Sequence, residues 1–361
     1  MKRKFIITEL AALCLVFAAL TSCNKNQFPS DDLSQGLDPS SGAPIAFISD
    51  NAFTKAPINN AAAIQDDENG FRVWSWFQGT TSGPMFGTEG TQVKYVDGAW
   101  TYSPLRYWIN GTYDFAAVYP SSVSATYAPV SGNSVLSIPS FDVTNQDDLL
   151  VAFNNDIDGS NPELDKNGAL PFSFNHALSC IQLRLNLKAE DFYELDEDGN
   201  PILDEDHQLG YATVTKVALR NVSTSGSLTA SKEIEVSYEW TPSTTVGNTE
   251  FALTGTNQVS ITYQPTDCFD AGMLAIPQKI QDGEGELYME VNISFPGITS
   301  EPIRKIYNVP LSAGSAVVPQ WEANKKYIYC GEIDQNFSIE FAVTTVNRWE
   351  DKTLGGFIVV G

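Results

Sequence analysis

The stretch "TYDFAAVYP", residues 112–120, sets Tyr113, Phe115, Ala117 and Tyr119 on one side of an extended chain. Side chains in a strand alternate between faces, so large apolar groups at every second position mark one buried face of a sheet. The texture continues outward in both directions. Upstream lie "IAFI" (45–48), "FRVWSWF" (71–77), "TQVKYV" (91–96) and "AWTY" (99–102); "DLLVAF" (148–153) follows. In "FSFNHALSCIQLRLNL" (172–187), Ile181, Leu183, Leu185 and Leu187 form an apolar face against Cys180, Gln182, Arg184 and Asn186. Further runs are "ATVTKVALRNV", "EIEVSYEW", "QVSITY", "GMLAIPQ", "ELYMEVNISF", "KKYIYCGEI" and "SIEFAVTTVNRW". Gly, Pro, Asn and Asp separate them at roughly ten-residue intervals, the spacing of an all-β sandwich. The acidic, loop-forming stretch 154–170, "NNDIDGSNPELDKNGAL", is the best boundary. It divides an N-terminal domain at 44–168 from a C-terminal domain at 169–361.

The chain has 361 residues and a formal charge of −23, which disfavours binding to nucleic acid or anionic lipid. Its beginning reads as an export signal. Lys2, Arg3 and Lys4 precede an apolar run from Leu10 to Leu20 that is too short for a stable membrane span. Leu20-Thr21-Ser22-Cys23 then resembles the lipobox of bacterial lipoproteins; Glu9 is the one residue that fits the signal poorly. The resemblance implies removal of residues 1–22 and acylation of Cys23. Cleavage there removes three positive charges and Glu9, taking −23 to −25. Residues 23–43, polar and rich in Ser, Asp, Gly and Pro, read as a flexible tether.

Little in the chain suggests catalysis. Besides Cys14 in the signal and Cys23, there remain Cys180, Cys268 and Cys330, without CxxC spacing; buried free thiols or one disulfide are both open. The two histidines, His176 and His207, lack an accompanying GxSxG or HExxH motif, and no cofactor is expected. Two acidic loops carry calcium-loop spacing: 154–165, with Asp156 and Asp158, and 194–205, with Asp196 and Asp198. Carboxylates two apart around a glycine turn can converge on a hard cation, but D-x-D-G hairpins arise easily in so acidic a chain. The aromatic cluster containing Trp74, Trp76, Trp100 and Trp108 reads as core. Its alternative is a sugar-stacking platform on Trp100 and Trp108, as in a glycan-binding surface lipoprotein.

Several motifs in a fixed order resemble the fimbrillin-like lipoproteins of Bacteroides-type bacteria, the type V pilin superfamily. They are the lipobox, "FTKAP" (53–57), "AWTYSPLRYWINGTYDFAAVYP" (99–120), "DLLVAF", "LPFSFNHALSCIQLRL" (170–185), "MLAIPQ", "WEANKKYIYCGEI" (321–333) and "FAVTTVNRWED" (341–351). The resemblance implies two tandem transthyretin-like β-sandwich domains in a non-enzymatic protein. It also implies a lipid anchor in the outer membrane and a place at the cell surface in a fimbrium, as subunit, anchor or tip. Partners would be other fimbrial subunits and a host or bacterial surface ligand. In the family a protease removes the first strand after a basic residue, and subunits join by strand donation. Lys55, in Thr54-Lys55-Ala56, occupies that place where arginine is commoner; Arg72 is a second candidate inside an expected strand. The tail residues Phe357, Ile358, Val359 and Val360 follow a two-glycine hinge and are either a donor strand or the last strand of domain two.

Overall fold

The computed structural model describes residues 43–49, 64, 70–97, 99–130, 133–164, 168–202, 211–250, 258–280, 283–296, 301–312 and 318–347. Nearly every regular element is a strand; the one helix among the described residues that spans a full turn is Ala189–Phe192. No helix among them is long and apolar enough to cross a membrane. The fold is all-β and built from packed sheets.

Thr112–Tyr119 lies inside a seven-stranded sheet, flanked by Phe71–Gln78 and Leu150–Asp158. Its expected face is the core face: Tyr113, Phe115, Ala117 and Tyr119 pack with Phe71, Val73, Phe77, Leu150 and Phe172. The opposite face is buried as well. Ala116 and Val118, with Trp74, Val151 and Phe153, join a separate cluster. A strand covered on both faces needs a third layer, and a four-stranded sheet supplies it.

That layer draws on both halves of the chain. Thr126–Val130 and Asn133–Asp142 form one hairpin, Ser225–Lys232 and Val236–Pro242 the other, and Ser225–Lys232 pairs antiparallel with Asn133–Asp142. Leu136, Ile138, Leu228 and Ala230 point from it into the shared cluster, which also takes Cys180, Leu274 and Ile276. Hydrogen bonds fasten it at both ends. The Ser134 hydroxyl donates to Asn155 Oδ1 (2.7 Å), and Asn155 Nδ2 donates to the Lys232 carbonyl (2.9 Å). Trp240 Nε1 donates to the Ala177 carbonyl (2.7 Å). Gln146 imitates a strand neighbour: its amide donates to the Leu274 carbonyl (3.1 Å) and accepts from the Leu274 N–H (2.8 Å).

Two five-stranded sheets enclose the largest cluster. Ser179–Leu187 runs parallel to Lys325–Ile333, which pairs with Ile339–Asn347; Ala212–Ser223 pairs with Tyr288–Phe295, and Ile303–Pro310 lies beyond it. Ile181, Leu183, Leu185 and Leu187 face inward as the alternation requires, against Val217, Met289, Val291, Trp321 and Tyr329.

Candidate assembly site around the first strand

Residues 43–49 occupy a slot between two parts of the first sandwich. On one side Pro44 bridges antiparallel to Tyr107. The Ile45 N–H donates to the Arg106 carbonyl (2.8 Å) and the Trp108 N–H donates to the Ala43 carbonyl (3.0 Å). On the other side Phe47–Ser49 runs parallel to Leu170–Phe172, and the Leu170 N–H donates to the Ala46 carbonyl (2.7 Å). The Tyr102 hydroxyl closes the slot, donating to the Ile45 carbonyl (2.7 Å) and accepting from the Arg106 N–H (3.2 Å). Burial pushes that hydroxyl's pKa well up, so it remains a donor across the physiological range.

The strand is also a plug. Ile45 is 1% and Phe47 4% exposed. The Phe47 ring lies 5.5 Å from Phe86, 5.5 Å from Tyr102, 6.0 Å from Phe115 and 5.4 Å from Phe172. Removing residues 43–49 would therefore uncover an aromatic groove walled by unpaired backbone groups of Arg106, Trp108 and Leu170. Such an open edge invites another strand.

Lys55 lies outside the described residues, as do Cys23 and Phe357, Ile358, Val359 and Val360. Arg72 is described, and its strand is paired on both sides, to Gln92 and Val118. Its guanidinium donates to the carbonyls of Ser121 (3.1 Å) and Glu89 (3.2 Å). A protease cannot draw this segment into its cleft without dismantling the central sheet.

The other candidate residues serve the architecture. Asp156 (φ 58°) sits in a β-bulge, where Asn155 and Asp156 together oppose Asp114. The Asp156 N–H donates to Asp114 Oδ1 (2.9 Å), and Asp114 Oδ2 accepts from Gln78 (3.2 Å). Burial raises the Asp114 pKa against those bonds. Asp158 Oδ1 accepts from the N–H (2.9 Å) and hydroxyl (2.6 Å) of Ser160, which holds its pKa below the usual range. Asp196 accepts from the N–H groups of Asn200 (2.7 Å) and Asp198 (3.0 Å), with the same consequence. These carboxylates shape their own turns; among the described residues no group of three or more His, Cys, Asp or Glu is placed to share a metal ion. Asp165 and Glu205, the last position of each loop, lie outside the described residues.

Trp108 is 5% exposed and packs edge-on to Tyr113 (5.1 Å). Trp100 packs against Phe71 (4.8 Å) and Tyr95 (5.2 Å). Both belong to the core or its margin rather than to an open stacking platform. His176 Nδ1 lies 2.9 Å from Asp148 Oδ2, both side chains buried, where Asn175–His176 pairs with Leu150–Val151 at the edge of the first sheet.

Cys180, Cys268 and Cys330 are free thiols. Burial pushes Cys180 and Cys268 up to about 12, and also pushes Tyr113, Tyr307 and Tyr327 up to about 12. In each case the unfolded chain ionises first. The stability these groups contribute is therefore intact below about pH 9 and falls as pH rises towards 12. Urea unfolding across pH 7–11 should show a flat profile followed by a steep alkaline loss; a midpoint unchanged at pH 11 would contradict the burial described.

The profile of the fimbrillin-like family matches residues 54–349. This chain belongs to the fimbrillin-like family. A crystal structure of a fimbrial protein from Bacteroides vulgatus superimposes with a TM-score of 0.57 at 13% identity, covering 84% of this chain and 99% of that one. That likeness establishes a shared fold. Weaker similarity extends to a candidate cell adhesion protein from Bacteroides uniformis (15% identity, 86% and 99% covered, TM-score 0.44). It extends also to the C-terminally truncated tip fimbrial protein Mfa3 of Porphyromonas gingivalis (11% identity, 81% and 97% covered, TM-score 0.37). No curated protein sequence matches the chain. Within the fimbrillin-like frame, the strand at 43–49 and the shared sheet are the features on which a functional reading turns.

Proposed function

We propose that this chain is a fimbrial subunit or accessory protein of the cell surface, without enzymatic activity, that assembles by exchange of its first strand. The observation that carries the reading is the seating of residues 43–49: apolar side chains in a deep slot, backbone paired on both sides, connected to the sheet by the segment that contains Lys55. Cleavage after Lys55 frees the strand, and residues 357–360 of a neighbour supply a replacement of similar apolar character. Such head-to-tail contacts extend into an open filament instead of closing into a dimer. In this reading residues 1–22 are a signal, 23–43 a tether, 44–168 the domain that supplies most of the groove, which Leu170–Phe172 completes, and 169–361 the domain that presents the tail. Export runs through acylation of Cys23 to the outer membrane, and fimbrial subunits are the protein partners.

The surface assignment is tested by immunogold microscopy with antibody to the chain: labelled filaments are expected, and label confined to the cell interior contradicts it. Replacing Cys23 with Ser is expected to abolish incorporation of labelled palmitate and to leave the uncut precursor. A variant that still takes up the label would overturn the lipid anchor.

A further inference from the structure

A cleft of about 630 Å³ opens between the edge strand Val236–Pro242 of the shared sheet and the second sandwich. Its size falls within the roughly 300–1,000 Å³ of small-molecule sites. Tyr238, Trp240, Pro242, Pro277, Gln320 and Trp321 are among the residues that line it. Both indole donors are occupied within the protein: Trp240 Nε1 by the Ala177 carbonyl, and Trp321 Nε1 by the Tyr329 hydroxyl (2.9 Å). Trp321 is 1% exposed and backs the cleft, and what the partly buried Trp240 presents to it is carbon. The Tyr238 hydroxyl differs, for it is buried and has no hydrogen-bond partner among the described residues. Buried polar groups in folded proteins nearly always have one, so an unmatched hydroxyl beside a cleft asks for a partner from outside.

We propose that this cleft binds a neutral saccharide, at a place distinct from Trp100 and Trp108. Carbon-rich aromatic and proline walls suit the C–H faces of a pyranose, while Tyr238 and the exposed amide of Gln320 suit its hydroxyls. The charged rim consists of Glu239, Glu322 and Lys279, and Glu322 is already paired with Lys325. With a chain charge of −23 behind it, such a rim disfavours sialylated or uronic sugars. The site does not depend on polymerisation, so it stands or falls separately from strand exchange.

The test is an array of neutral and anionic oligosaccharides probed with the mature protein, followed by titration of the bound sugars using tryptophan fluorescence. Neutral sugars are expected to bind. Tyr238→Phe should weaken that binding about tenfold while leaving the melting temperature unchanged or higher, since it removes only an unpaired hydroxyl. Gln320→Ala, at an exposed position, should weaken binding with no effect on folding, which guards against a misfolded Tyr238 variant. Absence of any neutral ligand, preference for anionic sugars, or equal affinity in both variants would overturn the assignment. So would a cleft that takes a synthetic peptide of residues 354–361 and no sugar.

Discussion

Protein cut after Lys55 and separated from its N-terminal fragment is expected to form ladders that survive mild denaturant, and deletion of residues 357–361 is expected to abolish them. The cut leaves backbone groups of Arg106, Trp108 and Leu170 without the partners that residues 43–46 provide. It also uncovers Phe86, Tyr102, Phe115 and Phe172, the rings now packed on Phe47. A strand entering this slot regains both terms at once, so the contact should be long-lived. Backbone pairing supplies its affinity, and the alternation of side chains fixes its register. Phe357, Ile358, Val359 and Val360 form a short β-branched and aromatic run suited to that alternation. Gel electrophoresis without boiling checks the outcome. Ladders that persist after the deletion would remove the tail from the donor role. A deletion that unfolds the second sandwich would show that the tail is that sandwich's own last strand.

The second large effect separates the plug from the groove. Phe47→Ala should destabilise the uncut protein by about 3–5 kcal/mol, the usual cost of truncating a fully buried phenylalanine. Phe115→Ala should cost a similar amount, because Phe115 packs on Phe47, Phe86, Trp108 and Phe172 from the opposite side. The two variants part company once the first strand is gone. In protein lacking residues 23–55, Phe115→Ala retains most of its cost, whereas the Phe47 substitution has no residue left to act on. In protein nicked at Lys55 with the fragment still seated, Phe47→Ala should also release that N-terminal fragment faster. Urea unfolding of both forms checks the energies, and gel filtration after nicking checks the release. A Phe47→Ala chain as stable as the parent would show that the strand contributes little to closing the groove.

Much of the first sandwich was legible because its strands are aromatic and alternate strongly. "TYDFAAVYP" gave its buried face directly, and "CIQLRLNL" did the same for the second sandwich. The shared sheet was legible only at its edge, in "EIEVSYEW". Its central strands, "NSVLSIPSFD" and "SGSLTASK", are rich in Ser and are not among the runs read as strands. Their inward positions, Leu136, Ile138, Phe141, Leu228 and Ala230, meet a wall already crowded by Trp74 and Phe153. Burial of Ala116 and Val118 on the second face of Thr112–Tyr119 was the available hint that a third layer existed. Asp156 illustrates another limit: a D-x-D-G spacing looks the same whether the aspartates hold an ion or a bulge. The cleft beside Tyr238 was half visible, since "EIEVSYEW" puts Val236, Tyr238 and Trp240 on one face. That face packs on the cluster around Trp74 and Phe153, while Pro277 and Trp321, which also line the cleft, come from far along the chain.

Loss of residues 43–49 before assembly is the central claim, and the intact mass of subunits recovered from sheared surface filaments tests it most directly. Subunits beginning at Ala56 are predicted. Polymerised subunits that begin at Cys23 and still carry residues 43–49 in every copy would contradict it.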